Sequence, residues 1–239
     1  MYCYATNIGK KRLRNEDAIV VDEVNKVLVL ADGMGGHSCG DVASNLAITV
    51  AFTSILQGLS LIRRASDESV IEVLINAAFT ANNSIISRAT DNPECVGMGT
   101  TLVEAVIIKN KLYLCNIGDS KCFIVRSKVV QLTEDHTVAN LLKRSGTSPF
   151  NIPENAKHAL TQAIGLNEIL FPATRIMPLK KNDLLLYCTD GLTDMVRTEH
   201  IAEILHRPTR IEEKVQQLID AANHAGGMDN ITTAIYQHT

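Results

Sequence analysis

The sequence predicts an α+β protein built from antiparallel sheets covered by helices, and three observations carry that reading. Strand-like apolar runs come in two groups of mostly consecutive strands, without the regular strand–helix alternation of a parallel α/β sheet. Long helical patterns lie between those groups and after them. None of the 239 residues forms a repeat, a low-complexity stretch or a linker, so residues 1–239 read as one domain.

The elements follow in order. "YCYATN", "AIVVD" and "KVLVLAD" are short β-rich runs. "NLAITVAFTSILQGLSLI" resembles a membrane span in length, but Thr49, Thr53, Ser54, Gln57 and Gly58 interrupt it, so a buried helix is expected. In the next helix Ile71, Leu74, Ile75, Ala78, Phe79, Ile85 and Ile86 recur at helical spacing, with Asp67, Glu68 and Glu72 near its start. "TTLVEAVIIKNKLYLCNIGD" returns to β structure with Asn110 at a hairpin tip, and "KCFIVRS" and "VVQLT" continue it. A short helix is expected over about 137–145. Residues 146–172 hold three of the six prolines and read as an inserted flap. "DLLLYCTDG" is a strand, Thr198 and Thr209 begin two helices, the second with a Thr209–Glu212 capping box, and "NITTAIYQ" is the last strand.

Composition narrows the function. Hydrophobic residues at 46% and charged residues at 21% are ordinary for a soluble globular chain. A net charge of −3 without a basic tract argues against nucleic acid, and no membrane partner is expected. The six cysteines, Cys3, Cys39, Cys95, Cys115, Cys122 and Cys188, are scattered and form no C-x-x-C pair. Reduced, mostly buried thiols in a cytoplasmic protein are expected, and the N-terminal "MYCYATNIGKKRLRNED" contains no apolar signal core.

The recurring feature is an acid at a strand end. "VLVLAD-G" ends at Asp32, "LYLCNIGD-S" at Asp119 and "LLLYCTD-G" at Asp190, while "GGMD-N" puts Asp229 before the final strand and "RNED" puts Glu16 and Asp17 before "AIVV". Singly, each reads as a strand-end turn. Together they differ, because a sheet gathers its strand ends at one edge and carboxylates converging there repel unless cations neutralise them. An oxygen-only set of that kind suits magnesium or manganese.

"R-x-x-N-E-D" at 12–17, "ADGMGGHxxG" at 31–40, "GTTL" at 99–102, "NIGDS" at 116–120, "LTxDHT" at 132–137, "CTDGLTDMV" at 188–196 and "GGxDNIT" at 226–232 occur in that order. This ordered set resembles the bacterial branch of the metal-dependent protein phosphatase 2C, or PPM, family. The resemblance implies a four-layer α-β-β-α sandwich, two antiparallel sheets flanked by helix pairs. It implies a serine/threonine phosphatase that uses two Mn²⁺ or Mg²⁺ ions, with a third, weaker ion at Asp119. By the same resemblance Asp32 bridges the two ions and the Gly33 carbonyl ligates one, glycine leaving that oxygen accessible. Asp190 and Asp229 complete the carboxylate set, Glu16 joins directly or through water, and Asp17 supports from behind. A hydroxide shared by the ions would attack phosphorus in line, without a phosphoenzyme. Arg12 would clamp the phosphate, its alternative being a solvated basic turn with Lys10, Lys11 and Arg14. His37 would protonate the leaving group or, alternatively, hydrogen-bond its own loop.

The chain departs from the family pattern at Met34, where some relatives carry histidine, at Asp41, where glutamate is common, and at Gln162, where arginine is frequent. The expected partners are phosphorylated proteins and an opposing kinase system, and the expected state is a monomer. The flap is expected to tune protein-substrate choice without doing chemistry. Other phosphatase chemistries lack their signatures. The residues six after each cysteine are Gly9, Asn45, Thr101, Lys121, Lys128 and Asp194, none an arginine; no Asp-x-Asp occurs; and no Gly-Lys-Ser/Thr follows "GMGG". Two alternatives share the scaffold: a catalytically weak or silent phosphoprotein-binding regulator, and a hydrolase of small phosphate esters or nucleotides. Loss of metal acids would mark the first, and a closed aromatic pocket the second.

Overall fold

The computed structural model describes residues 1–35, 39–63, 66–166 and 169–239. Strands β1 (Tyr2–Asn7), β2 (Asp17–Asp22) and β3 (Val27–Met34) lead into helices α1 (Gly40–Leu61) and α2 (Asp67–Asp91). A two-residue strand β4 (Gly99–Thr100) precedes β5 (Leu102–Ile108), β6 (Lys111–Ile117), β7 (Lys121–Val125) and β8 (Val129–Gln131). Helix α3 (Val138–Arg144), β9 (Ala173–Pro178), β10 (Leu184–Cys188), α4 (Asp190–Thr193), α5 (Thr198–His206), α6 (Ile211–His224) and β11 (Ile231–Gln237) complete the chain.

The strands form two antiparallel sheets, ordered β1-β11-β10-β7-β8 and β2-β3-β5-β6-β9, with β4 added beside β3. Alternation along β3 explains the stacking. Leu28 and Leu30 join Leu185, Tyr187, Ala234 and Tyr236 in the core between the sheets. Val27, Val29 and Ala31 face the opposite way, into a core shared with α1 and α2. Both faces are therefore apolar, and "VLVLA" reads as a continuous run. On the far side Leu186, Ile231 and Ile235 pack beneath Ile204, Leu205, Val215 and Leu218 of α5 and α6. The four layers are α-β-β-α, as the resemblance implies.

Helices α1 and α2 are long and apolar enough, by length and composition, to cross a membrane. Here they pack on the sheet and on each other: Ala43, Ala47, Ala51 and Ile55 recur every four residues and meet Leu74, Ala77, Ala78 and Ala81. Helix α2 starts on a reciprocal Ser66–Ser69 cap.

Two local expectations are corrected and one strand is added. The Thr209–Glu212 capping box does not form: α6 starts at Ile211 with Arg210 at its N-cap, and the buried Thr209 hydroxyl has no hydrogen-bond partner among the described residues. Strand β9 was not predicted from the sequence, because it is an edge strand with mostly exposed side chains and a terminal Pro178. Finally, the cysteines are not all reduced. Cys39 and Cys95 form a disulfide, with Cα atoms 5.4 Å apart, whereas Cys3, Cys115, Cys122 and Cys188 are free thiols.

Candidate metal centre

Strand pairing delivers the acids to one place. The β2–β3 register sets Asp17 opposite Asp32. Asp32 is held by three short bonds: its amide donates to Thr101 Oγ1 (3.0 Å), and its carbonyl accepts from the Thr101 amide (2.9 Å) and Thr100 Oγ1 (2.9 Å). Asp119 follows β6, Asp190 opens α4 directly after β10, and Asp229 precedes β11. Asp32, Asp119, Asp190 and Asp229 line a cleft of about 500 Å³ together with Arg12, Glu16 and Gly33. Asp17 is not in the lining. It is buried behind it, where Thr189 Oγ1 donates to its Oδ2 at 2.9 Å. His37 lies outside the described residues.

Glycine at the strand end has a packing reason. A Cβ on Gly33 would lie 2.1 Å from the Gly40 carbonyl oxygen and 2.6 Å from that of Glu16, and a Cβ on Gly40 would lie 2.7 Å from Glu16 Cδ. The start of α1 is thus pressed against the acid loop, with no room for a side chain between them. Asn230 ties down the Arg12–Glu16 segment, donating to the carbonyls of Ile8 and Arg14 (2.9 Å each) and accepting from the Glu16 amide at 2.8 Å.

The electrostatics mark these acids as mutually frustrated. Burial, then repulsion from Asp17, Asp190, Asp119 and Asp229, holds the Asp32 carboxyl well above its ordinary range. Burial lifts Asp17 to about 7 against the bonds from its threonine partners. Burial and the neighbouring Asp190 lift Asp119 to about 7. Asp190 is raised by burial and by the neighbouring Asp229. Glu16 is raised by burial more than Arg12 lowers it. A cation reverses each of these penalties, and an all-oxygen donor set beside a side-chain-free backbone fits a hard divalent ion. Arg12 stands at the cleft mouth, where its Nη2 donates to Asp229 Oδ2 at 2.7 Å. It is in place to meet an anion but is paired with an acid here.

Two lining residues were not assigned from the sequence. Asp194 lies four residues after Asp190, one helical turn on, a spacing visible inside "CTDGLTDMV". His158 comes from the 146–172 segment, and its Nδ1 lies 3.2 Å from Asp194 Oδ2. Ligand atoms of His158, Asp190 and Asp194 lie within 4.8 Å of one another. The segment expected to stand apart from the chemistry therefore puts an imidazole, Leu160 and Leu166 into the cleft wall. No Phe, Tyr or Trp is among the described lining residues.

The protein phosphatase 2C family model matches residues 8–231. The serine/threonine phosphatase stp of Listeria innocua is 34% identical, over 98% of this chain and 94% of its own. The protein phosphatase PhpP of Streptococcus pneumoniae is 34% identical, over 96% of this chain and 94% of its own. Among solved structures, the catalytic domain of the serine/threonine protein phosphatase PstP in complex with two manganese ions superimposes with a TM-score of 0.85 at 30% identity, over 100% of this chain and 98% of that one.

Proposed function

Because the chain belongs to the protein phosphatase 2C family, we propose that it is a metal-dependent serine/threonine phosphatase whose centre is the cleft between the two sheets. The observation that carries this reading is the convergence of Asp32, Asp119, Asp190 and Asp229, from four separate places in the chain, on one cleft with Arg12 at its mouth. Residues 1–239 act as one catalytic domain, with about 146–172 as its flap.

In this reading Asp32, the Gly33 carbonyl, Asp190 and Asp229 hold two Mn²⁺ or Mg²⁺ ions, Glu16 contributes directly or through water, and Asp119 serves a third, weaker ion. When bound, such ions neutralise the acids and lower the pKa of water enough to supply a nucleophile near neutral pH. The protein's own residues do the rest. Thr100 and Thr101 fix Asp32 through its backbone, and Thr189 fixes Asp17 behind it. Arg12 exchanges Asp229 for two phosphate oxygens, a planar bidentate task that suits guanidinium. Water attacks phosphorus in line with the departing seryl or threonyl oxygen, and no residue of the chain is phosphorylated. His37 is the candidate donor of a proton to that oxygen.

The substrates are phosphorylated proteins, the enzyme opposes a protein kinase, and it works as a monomer in the cytoplasm. Hydrolysis of a phosphoserine and phosphothreonine peptide panel, with and without manganese, tests the proposal. Manganese-dependent release of phosphate is expected. Binding of the peptides without release would leave a silent phosphoprotein-binding regulator in its place.

A further inference from the structure

The Cys39–Cys95 disulfide joins two segments that both bear on Asp32 and Gly33. Cys39 immediately precedes Gly40, whose carbonyl leaves no room for a Cβ on Gly33 and whose Cα faces the Glu16 carboxyl. Cys95 ends the turn Pro93–Cys95, and four and five residues later Gly99 and Thr100 pair with Met34 and Gly33. The Thr100 hydroxyl and Thr101 amide that grip the Asp32 carbonyl hang from that same segment. The bond spans 56 residues of sequence, the whole α1–α2 hairpin, and ties the start of α1 to the turn that leads into β4. The hairpin packs through its own apolar stripe. Opening the bond therefore removes the covalent tie between the two segments around Gly33, leaving them on their hydrogen bonds and packing, without removing what holds the helices.

The chemistry is selective for this pair. Cys115, Cys122 and Cys188 are buried within strands, where burial pushes their thiols up and away from thiolate. Cys95 is buried but lies in an otherwise exposed turn, with Val96 beside it 73% exposed. Local opening of that turn exposes the sulfur. In a reducing compartment such a bond is characteristically transient and regulatory.

We infer that Cys39–Cys95 is a thiol–disulfide exchange site that sets how tightly the candidate metal centre holds its ions; this rests on the metal-dependent reading above. The reductant is a dithiol, small or protein-borne. One of its thiolates attacks a sulfur of the pair, forming a mixed disulfide and releasing the other cysteine as thiolate. Its second thiol resolves the mixed disulfide, leaving two cysteine thiols and an oxidised dithiol, with two electrons and two protons delivered. A disulfide oxidant reverses the exchange.

The test uses the full chain, oxidised with oxidised glutathione or reduced with a phosphine that is then removed, and titrated with Mn²⁺ by calorimetry. Thiols counted in denaturant should number four when oxidised and six when reduced. Reduction should weaken Mn²⁺ binding about tenfold or more and be reversed by reoxidation. Aryl-phosphate turnover should fall at limiting manganese and recover at saturation. Cys39→Ser/Cys95→Ser should match the reduced form and ignore reductant, while Cys3→Ser should still respond. If the double variant does not fold, the wild-type comparison decides alone. Equal, measurable affinity in both states, or six free thiols after oxidation, overturns the inference and leaves the metal-dependent reading intact. No Mn²⁺ binding in either state overturns both.

Discussion

Asp32 on β3 and Glu104 on β5 are acids on neighbouring strands of one sheet, and removal from water raises the pKa of both. Their surroundings differ. Glu104 is fully buried and faces Val29 on one side and Cys115 on the other, whose thiol is the polar group that meets it. It adjoins no other acid. Asp32 opens on a cleft of about 500 Å³ and meets four more aspartates there. Burial alone produces a shifted acid. Convergence with open volume produces a site that a cation can relieve, so a perturbed carboxyl is informative only with its company.

The largest effects should come from removing charge from the group. Asp190→Asn and Asp229→Asn each keep shape and lose a negative donor, so turnover should fall roughly a thousandfold or more, about 4 kcal/mol in barrier. Excess chelator should do the same to the wild type. Without metal, Asp190→Asn should melt higher than wild type, because it relieves a buried repulsion. Near-wild-type rates at saturating manganese, measured with thermal melts on the same preparations, would break the distinction between the two kinds of acid.

Next comes pH. Asp17 and Asp119 lie near 7 in the folded, metal-free chain, against about 3.9 for an unfolded aspartate. The folded form binds the extra protons, so their stabilisation is complete below about pH 4 and is lost as pH rises through 7. The metal-free protein should therefore be less stable at pH 8 than at pH 5.5, by a few kcal/mol for such shifts. Saturating manganese should raise the melting temperature more at pH 8 than at pH 5.5. A metal-free melting temperature that is flat between these values would sink the claim of frustrated carboxyls.

Arg12→Ala separates the acids from the anion they would help to bind. Loss of a clamp on developing charge should lower kcat/KM by about 10–100-fold, ~1.4–2.7 kcal/mol. Manganese affinity should change little, since Arg12 holds only the exposed side of Asp229. Unchanged kinetics would return Arg12 to a surface ion pair, a contact worth little in water.

The acids of the cleft were legible because each follows or precedes an apolar run, and a sheet must bring such ends together. Gly33 was legible as a glycine but not for its packing against Gly40, which depends on where α1 docks. The Cys39–Cys95 pairing was hidden because the α1–α2 hairpin brings together cysteines 56 residues apart. His158 was hidden because residues 146–172 have no periodicity from which a direction could be read. Asp194 was in view, but a second acid one turn along a helix usually means a solvated face. Strand β9 escaped because its mostly exposed side chains, from Ala173 to Pro178, carry no apolar alternation.

The smallest effect isolates the other half of the comparison. Glu104 is fully buried, and only the Cys115 thiol, a weak donor, offsets the burial that raises its pKa. Replacing a buried, weakly paired polar group by an apolar one of similar length removes a desolvation cost without opening a cavity. Glu104→Met should therefore stabilise the protein by about 1–2 kcal/mol at neutral pH, the ordinary cost of such a group. The gain should shrink below about pH 4, where Glu104 is protonated in both folded and unfolded chains. Aryl-phosphate turnover should stay within about twofold of wild type, because Glu104 is not among the residues that line the cleft. Denaturant melts at pH 7.5 and pH 4, read beside kinetics at saturating manganese, make the test. A large loss of turnover with the fold intact would mean that Glu104 acts on the cleft through the sheet, and the line between an acid with company and an acid alone would have to be redrawn.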